Sequence, residues 1–447
     1  MARTLNIARV IPRNRNIEAL LLLFALGINA FEIAQIQLSV IKVVNGDFFT
    51  YWAPIAIAAI MFHLVLRVRA RNADSLLLPL AVLLNGLGVA MIYRLDLAKI
   101  ADHGTDLFAF KQVIWTVVAI AATAAVVLYI PNHLFLRKYV YLSGVIGLVL
   151  LILPVVPFIG RRINGASLWI AIGGFTFQPG ELAKIALTIF FAGYLVQRKD
   201  SLSVTGRKIL GVQLPRAREL GPILIFWVAS LIVLVLEKDL GTSLLFFGLF
   251  LVMIYTATGR AIYVAVGMGM FLVSGLLVSQ LGGYVQGRID SWLNPLDDHL
   301  YNAAGGSYQL VQGMFGLAHG GLTGTGLGGG FPQLVPLAES DFIITSIGEE
   351  LGLIGLFAVF AVYILFVARG IRIAVNHTDD FSRLLSVGLS FVIALQCFIV
   401  IGGVTRVVPL TGLTTPLLAA GGSSLLANWI IIGLLLRISD SVRAEAA

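Results

Sequence analysis

The sequence is poor in charge. Of its 447 residues only 12% are Asp, Glu, Lys or Arg, where a soluble domain carries about 25%, so a water-facing globular surface is excluded. A single cysteine, Cys397, sits inside an apolar run, which rules out an intramolecular disulfide and any paired-thiolate metal site. Six histidines lie scattered without ligand spacing, and neither H-E-x-x-H nor G-x-S-x-G occurs, so no metal site is assigned. Gly324, Gly326 and Gly329 satisfy G-x-G-x-x-G, but no strand precedes them and no βαβ unit surrounds them, which removes the dinucleotide reading. There is no internal repeat and no low-complexity linker.

What the chain has is apolar length. Fifty-eight per cent of it is hydrophobic, in repeated stretches of the roughly 20 residues that a membrane-crossing helix needs. Hydropathy places twelve spans at about 17–38, 51–67, 76–94, 112–130, 139–158, 180–197, 221–237, 241–257, 261–282, 343–368, 385–405 and 415–436. The first run is too long for a signal peptide and lacks a small-residue cleavage site, so it reads as a retained helix. The net charge of +8 does not point to nucleic acid, because the basic residues lie between the spans, where they report topology. With a cytoplasmic N-terminus the inner segments hold 21 Lys and Arg, the outer ones nine, and Lys184 lies within a span. The positive-inside rule therefore predicts both termini in the cytoplasm and an extracytoplasmic segment at 283–340. Loops beyond about 15 residues are usually functional or disordered. This one carries Trp292, Tyr301, Tyr308 and Phe315, and its stretch Ser307 to His319 suits a short interfacial helix.

Ionisable residues within a membrane are costly and mark function by default. Glu32, Arg94, Glu181, Lys184, Glu237, Lys238, Asp239, Glu349, Glu350 and Arg406 all fall toward the outer helix ends, away from the midplane where transporters bind their substrates. Glu32 and Arg94 read as snorkelling into headgroups. Glu181 and Lys184, three apart on one helical face, are either a structural pair or part of a site. Glu349 and Glu350, as neighbours on a helix, point about 100° apart and cannot line one cavity equally. Asp341 lies where the long loop enters a helix, and as far as the residues go it is either an N-cap or a general base.

Five blocks together resemble the SEDS family of RodA, FtsW and SpoVE proteins. They are Asn164-Gly-Ala-Ser-Leu-Trp169; Phe177-Gln-Pro-Gly-Glu-Leu-Ala-Lys184; Glu237-Lys-Asp-Leu-Gly-Thr242; Ser340-Asp-Phe-Ile-Ile-Thr-Ser-Ile-Gly-Glu-Glu-Leu-Gly352; and Pro409-Leu-Thr-Gly-Leu-Thr-Thr-Pro416 with Gly421-Gly-Ser-Ser424. Met91-Ile-Tyr-Arg-Leu-Asp96 and Gly402-Gly-Val-Thr-Arg406 look most like actinobacterial RodA. The resemblance implies an all-α polytopic membrane protein of about twelve transmembrane helices. Residues 1–75 are then an N-terminal cytoplasmic segment and an added helix pair, 76–437 the ten-helix core, and 438–447 a cytoplasmic tail. The chain departs from the family at Gly180, at Glu339-Ser340 where His-Thr is common, and at Thr411, where many FtsW proteins have Lys.

The implied activity is that of a peptidoglycan glycosyltransferase, polymerising lipid II on the outer membrane face during cell elongation. The attacking hydroxyl must lose a proton and the departing diphosphate needs its charge stabilised. Inversion of an α-linked donor in one displacement requires a single base, and the resemblance gives that role to Asp341. Glu181, Lys184, Lys238, Asp239, Arg288, Arg406, Glu349 and Glu350 are the candidate substrate-binding residues, with Arg161 and Arg162 as further cations for the diphosphate. No organic cofactor is expected, and a divalent cation could share the charge. The implied partners are lipid II, the nascent glycan, a class B penicillin-binding protein and other elongation-complex proteins, with no nucleic acid. The competing readings are a lipid II flippase and an FtsW-type division polymerase or scaffold.

Overall fold

In lipid, every backbone N–H and C=O must be paired within the chain, so long apolar runs fold as helices. The protein is seen here as a computed structural model describing residues 13–445, except 102, 106, 164–165, 173–174, 204, 210–211, 216–223, 226–227, 230–231, 233–235, 238, 281–282 and 304. The helices used below are α1 (Arg13–Val40), α2 (Asp47–Arg69), α3 (Leu77–Ala101), α4 (Ala109–Tyr129), α5 (Val140–Ile152), α6 (Pro179–Ser203), α7 (Leu240–Thr258) and α8 (Ala261–Gln280). They continue with α9 (Tyr284–Leu293), α10 (Asp298–Asn302), α11 (Tyr308–Gly320), α12 (Ile343–Val375), α13 (Asp380–Val404) and α14 (Gly422–Glu445). Among the described residues ten helices are long and apolar enough to cross a membrane, and the apolar part of α8, Ala261–Leu276, is shorter. The expected span at 221–237 falls largely on residues outside the described set.

The protein is a polytopic helical membrane protein with α3 at its centre. Almost every residue of α3 is buried, and its glycines explain how neighbours come so close. A Cβ on Gly88 would stand 2.2 Å from the Leu418 carbonyl oxygen, and one on Gly86 would meet the Asn29 amide. Such small-residue contacts matter because lipid supplies no hydrophobic drive between helices, leaving packing and polar bonds to specify the fold. The first helix shows this. Asn29, Glu32, Ile33, Ile36 and Gln37 follow a helical stripe, and all are buried. Asn29 Nδ2 donates to the Val82 carbonyl at 3.0 Å, and Gln37 Nε2 to the Tyr93 hydroxyl at 3.0 Å. Glu32 belongs to this protein-facing stripe, so it does not snorkel.

Two small β elements interrupt the helices. Gly160–Ile163, Ala166–Ile172 and Phe175–Phe177 form an antiparallel sheet in sequence order, and Thr205–Ile209 pairs with Val212–Pro215. The all-helical expectation omitted both. The segment 283–340 is ordered as α9, α10, α11 and a 3-10 turn at Pro332–Leu334.

Candidate functional site

Distant blocks of the chain converge where α6, α7 and α12 begin. Asp239 is the N-cap of α7: one of its oxygens accepts from the Thr242 N–H at 2.9 Å, and the other takes the Thr242 hydroxyl. Pro179 opens α6, and two residues on Glu181 is buried, its negative charge in the first turn favoured by the helix dipole. The charge of Glu181 acts on Asp239, and that of Asp239 acts on Asp341. The loop 411–416 lies between them. A Cβ on Gly241 would press against Leu413 and Thr411, and one on Gly412, whose φ is +81°, would stand 3.6 Å from Asp341 Oδ2.

Asp341 does not cap α12. Phe342 is the N-cap there and no side chain bonds to the free N–H groups, so the capping alternative is removed. The carboxyl keeps some surface open while protein atoms crowd it from most sides. Burial pushes it up to about 7, opposed by the Ser340 hydroxyl and the Arg288 charge and reinforced by the charge of Asp239. Burial likewise holds Asp239 above the ordinary carboxylate range, against the bonds from Thr242 and Gly241 and with the Glu181 charge. An acid of this kind can take a proton near neutral pH.

The Lys184 side chain is only 1% exposed, and its ammonium faces three protein groups. Its ammonium lies 2.6 Å from Glu181 Oε2 and donates to Gln396 Oε1 at 3.0 Å and Asn428 Oδ1 at 3.2 Å. Glu181 Oε2 accepts no aligned hydrogen bond, so the pair is one of charge and proximity. Arg288, half-buried on α9, acts electrostatically on Asp341. Lys238 lies outside the described residues. Arg161 and Arg162 are exposed on the first strand, and Arg162 Nε donates to Ser167 Oγ at 3.2 Å.

Three of the proposed site charges hold the protein's own loops. Arg406 donates to the carbonyls of Trp292 at 2.8 Å and Leu293 at 3.2 Å, pinning α9, while the Trp292 indole returns a bond to the Arg406 carbonyl. Glu349 Oε1 accepts from the Phe331 N–H at 2.8 Å and stands 2.9 Å from His319 Nδ1. Glu350 takes Arg94 Nε at 2.9 Å and the Gly328 N–H at 2.8 Å. Arg94, expected to snorkel, is buried in that pair and also donates to the Gly330 carbonyl at 2.8 Å. The glycines that mimic a nucleotide fingerprint have another role. Two of them, Gly324 and Gly326, have positive φ, as does their neighbour Gly328, and a Cβ on Gly324 would reach 2.2 Å from the Glu350 carbonyl oxygen.

Sequence reasoning missed the uncharged members of this arrangement, Gln396 and Asn428, because polar amides within a hydropathic run carry no periodic signal. Among the described residues no group of three or more His, Cys, Asp or Glu could hold a metal.

The model of the FtsW/RodA/SpoVE family, described as a cell cycle protein, matches residues 74–444. The peptidoglycan glycosyltransferase RodA of Mycobacterium tuberculosis is 44% identical over 436 residues, covering 97% of this chain and 92% of that protein. Among solved structures, a chain of a peptidoglycan synthase complex, described for its coordination of polymerization and crosslinking, aligns with TM-score 0.57 at 23% identity, covering 87% of this chain and 96% of its own. The rod shape determining protein RodA of Thermus thermophilus aligns with TM-score 0.55 at 22% identity, covering 82% of this chain and 96% of its own.

Proposed function

The chain belongs to the FtsW/RodA/SpoVE family of cell cycle proteins, and on that premise we propose that it is a peptidoglycan glycosyltransferase that polymerises lipid II for cell elongation. The observation that carries this reading is the carboxyl of Asp341, pushed up to about 7 by burial, close to Gly412 of the loop 411–416 and acted on by the charges of a second acid, Asp239, and the cation Arg288. Asp341 takes the proton from the acceptor hydroxyl as that oxygen attacks the anomeric carbon of the donor. The donor's bond to diphosphate breaks in the same displacement, which inverts the sugar centre. Arg288 and Lys238 stabilise the departing undecaprenyl diphosphate, alone or with a divalent cation. Lys184 contributes by holding Glu181, since its ammonium is sealed from solvent among Glu181, Gln396 and Asn428. Glu349, Glu350 and Arg406 support the loops that frame the site rather than touching substrate.

The basic asymmetry supports a cytoplasmic-membrane orientation with both termini inside and the site outside. A class B penicillin-binding protein that crosslinks the product fits the chemistry, since linear glycan alone makes no wall. Polymerisation of purified lipid II by the detergent-solubilised full chain tests the proposal. Glycan chains are expected there, where no leaflet needs crossing. A flippase or a scaffold would return lipid II unchanged, and that result would end the enzyme reading.

A further inference from the structure

A ring of hydrogen bonds closes beneath the loop that abuts Asp341, built from five residues on three helices and the loop itself. Lys184 on α6 donates to Gln396 Oε1 on α13 at 3.0 Å. Gln396 Nε2 donates to the Thr414 carbonyl at 2.9 Å. The Thr414 hydroxyl donates to Ser424 Oγ at 3.0 Å, at the start of α14. One turn on, Asn428 Nδ2 bonds back to the Ser424 carbonyl at 2.8 Å and to its Oγ at 3.3 Å. Asn428 Oδ1 then accepts from Lys184 at 3.2 Å, and the circuit is complete.

The ring grips Thr414 twice, by its carbonyl and by its hydroxyl, two residues from Gly412, which faces Asp341. The rest of the loop is held by packing and at its far end: Leu413 is buried against Leu245 of α7 and Ile399 and Val400 of α13, and the Pro416 carbonyl accepts from the Tyr363 hydroxyl. Gly412 has a positive φ, and prolines at 409 and 416 cannot donate to any neighbour. The ring's members are largely buried, so each bond lost would leave a polar group without water to replace it. The geometry points to Gln396 and Thr414 as positioning residues, which through this ring set the loop 411–415 against Asp341 and so fix where its carboxylate meets the acceptor hydroxyl. The inference rests on the reading of Asp341 as the general base.

Gln396→Met removes the amide at similar length, Thr414→Val removes only the hydroxyl, and Thr414→Ser restores it. Each full-length variant is purified in detergent, and its initial rate of glycan formation is measured against lipid II concentration and pH. Misplacing a catalytic group by about 1 Å costs on the order of 100-fold, so kcat should fall about 10- to 100-fold in Gln396→Met and Thr414→Val, with KM changed less than about threefold. The pH midpoint of the rate should also move down, because a withdrawn loop lets water back to the carboxyl. Thr414→Ser should return both to wild type. A merely structural ring would lower the melting temperature and the active fraction while leaving the pH midpoint in place, and that result overturns the proposal, as does wild-type kcat in both ring variants. If Gln396→Met does not fold, the contrast between Thr414→Val and Thr414→Ser decides alone. Asp341→Asn, run alongside, separates the two levels. If it is inactive while the ring variants behave as wild type, positioning fails and the base stands; if it polymerises normally, the base reading and this inference fall together.

Discussion

Arg94 and Glu350, 256 positions apart, form an ion pair at 2.9 Å whose members are almost wholly removed from solvent. Arg94 also bonds the Gly330 carbonyl, and Glu350 the Gly328 N–H, so the pair clasps the glycine-rich loop between α3 and α12. Breaking a buried pair by removing one partner costs about 3–5 kcal/mol, because the other charge is left uncompensated. Arg94→Met should therefore destabilise the protein by that amount, and Glu350→Gln, which keeps an acceptor for Gly328, by less. The double variant should recover much of the loss. Denaturation in detergent measures all three; strict additivity of the single effects would show that the two residues do not act as a pair.

The spans were legible because a bilayer demands long apolar runs; the place of Asp341 at the junction of loop and helix was legible too, but its proposed role as base came from the family resemblance and not from that position. The Arg94–Glu350 pair was not legible, since a charge near a helix end looks the same whether it faces lipid or a distant helix. Glu32 misled for the same reason, although its place in the stripe with Ile33 and Ile36 was in the sequence to be read. The small sheet did carry a signal. Ile163 pairs with Ala166 and Ile172 with Phe175, and the residues between each pair are Asn-Gly and Gly-Gly, the strongest hairpin connections. The apolar composition around them concealed the alternation.

The orientation can be tested by labelling. In a background with Cys397 replaced, a cysteine at position 299 should react with an impermeant thiol reagent on intact cells, and one at position 207 should react only after lysis. The imbalance of 21 basic residues against nine requires this. Labelling at 207 without labelling at 299 would reverse the topology and put the proposed site on the wrong side.

Glu181 and Lys184 should be strongly coupled. Their 2.6 Å contact is nearly sealed from solvent, and Lys184→Met would leave the Glu181 charge beside that of Asp239 with no cation against it. Each single change to Ala or Met is expected to abolish most activity and lower stability, with the double variant less damaged than the sum. Two mild singles and an additive double would remove the pair from the site.

Asp341→Asn should fold, insert and form almost no glycan. Because Asp341 does not cap α12, the amide loses no helix-ending bond, and any effect on rate belongs to the chemistry. A general base contributes about 10²- to 10⁴-fold, and the Asn variant should fall by that factor. The wild-type rate should rise with pH through about 7 and level off above it, because the base acts only when ionised. Stability should run the other way. A carboxyl whose folded value is raised binds its proton more tightly in the native state, so its contribution to stability falls as pH rises from the ordinary carboxylate range to about 7. Asn carries no such charge, so the variant should melt higher than wild type at pH 8, with that advantage shrinking toward pH 4. An inactive variant with a higher melting temperature at pH 8 is the signature of a carboxylate kept for reaction at the expense of the fold. Near-normal polymerisation by the folded Asn variant would reject Asp341 as the base.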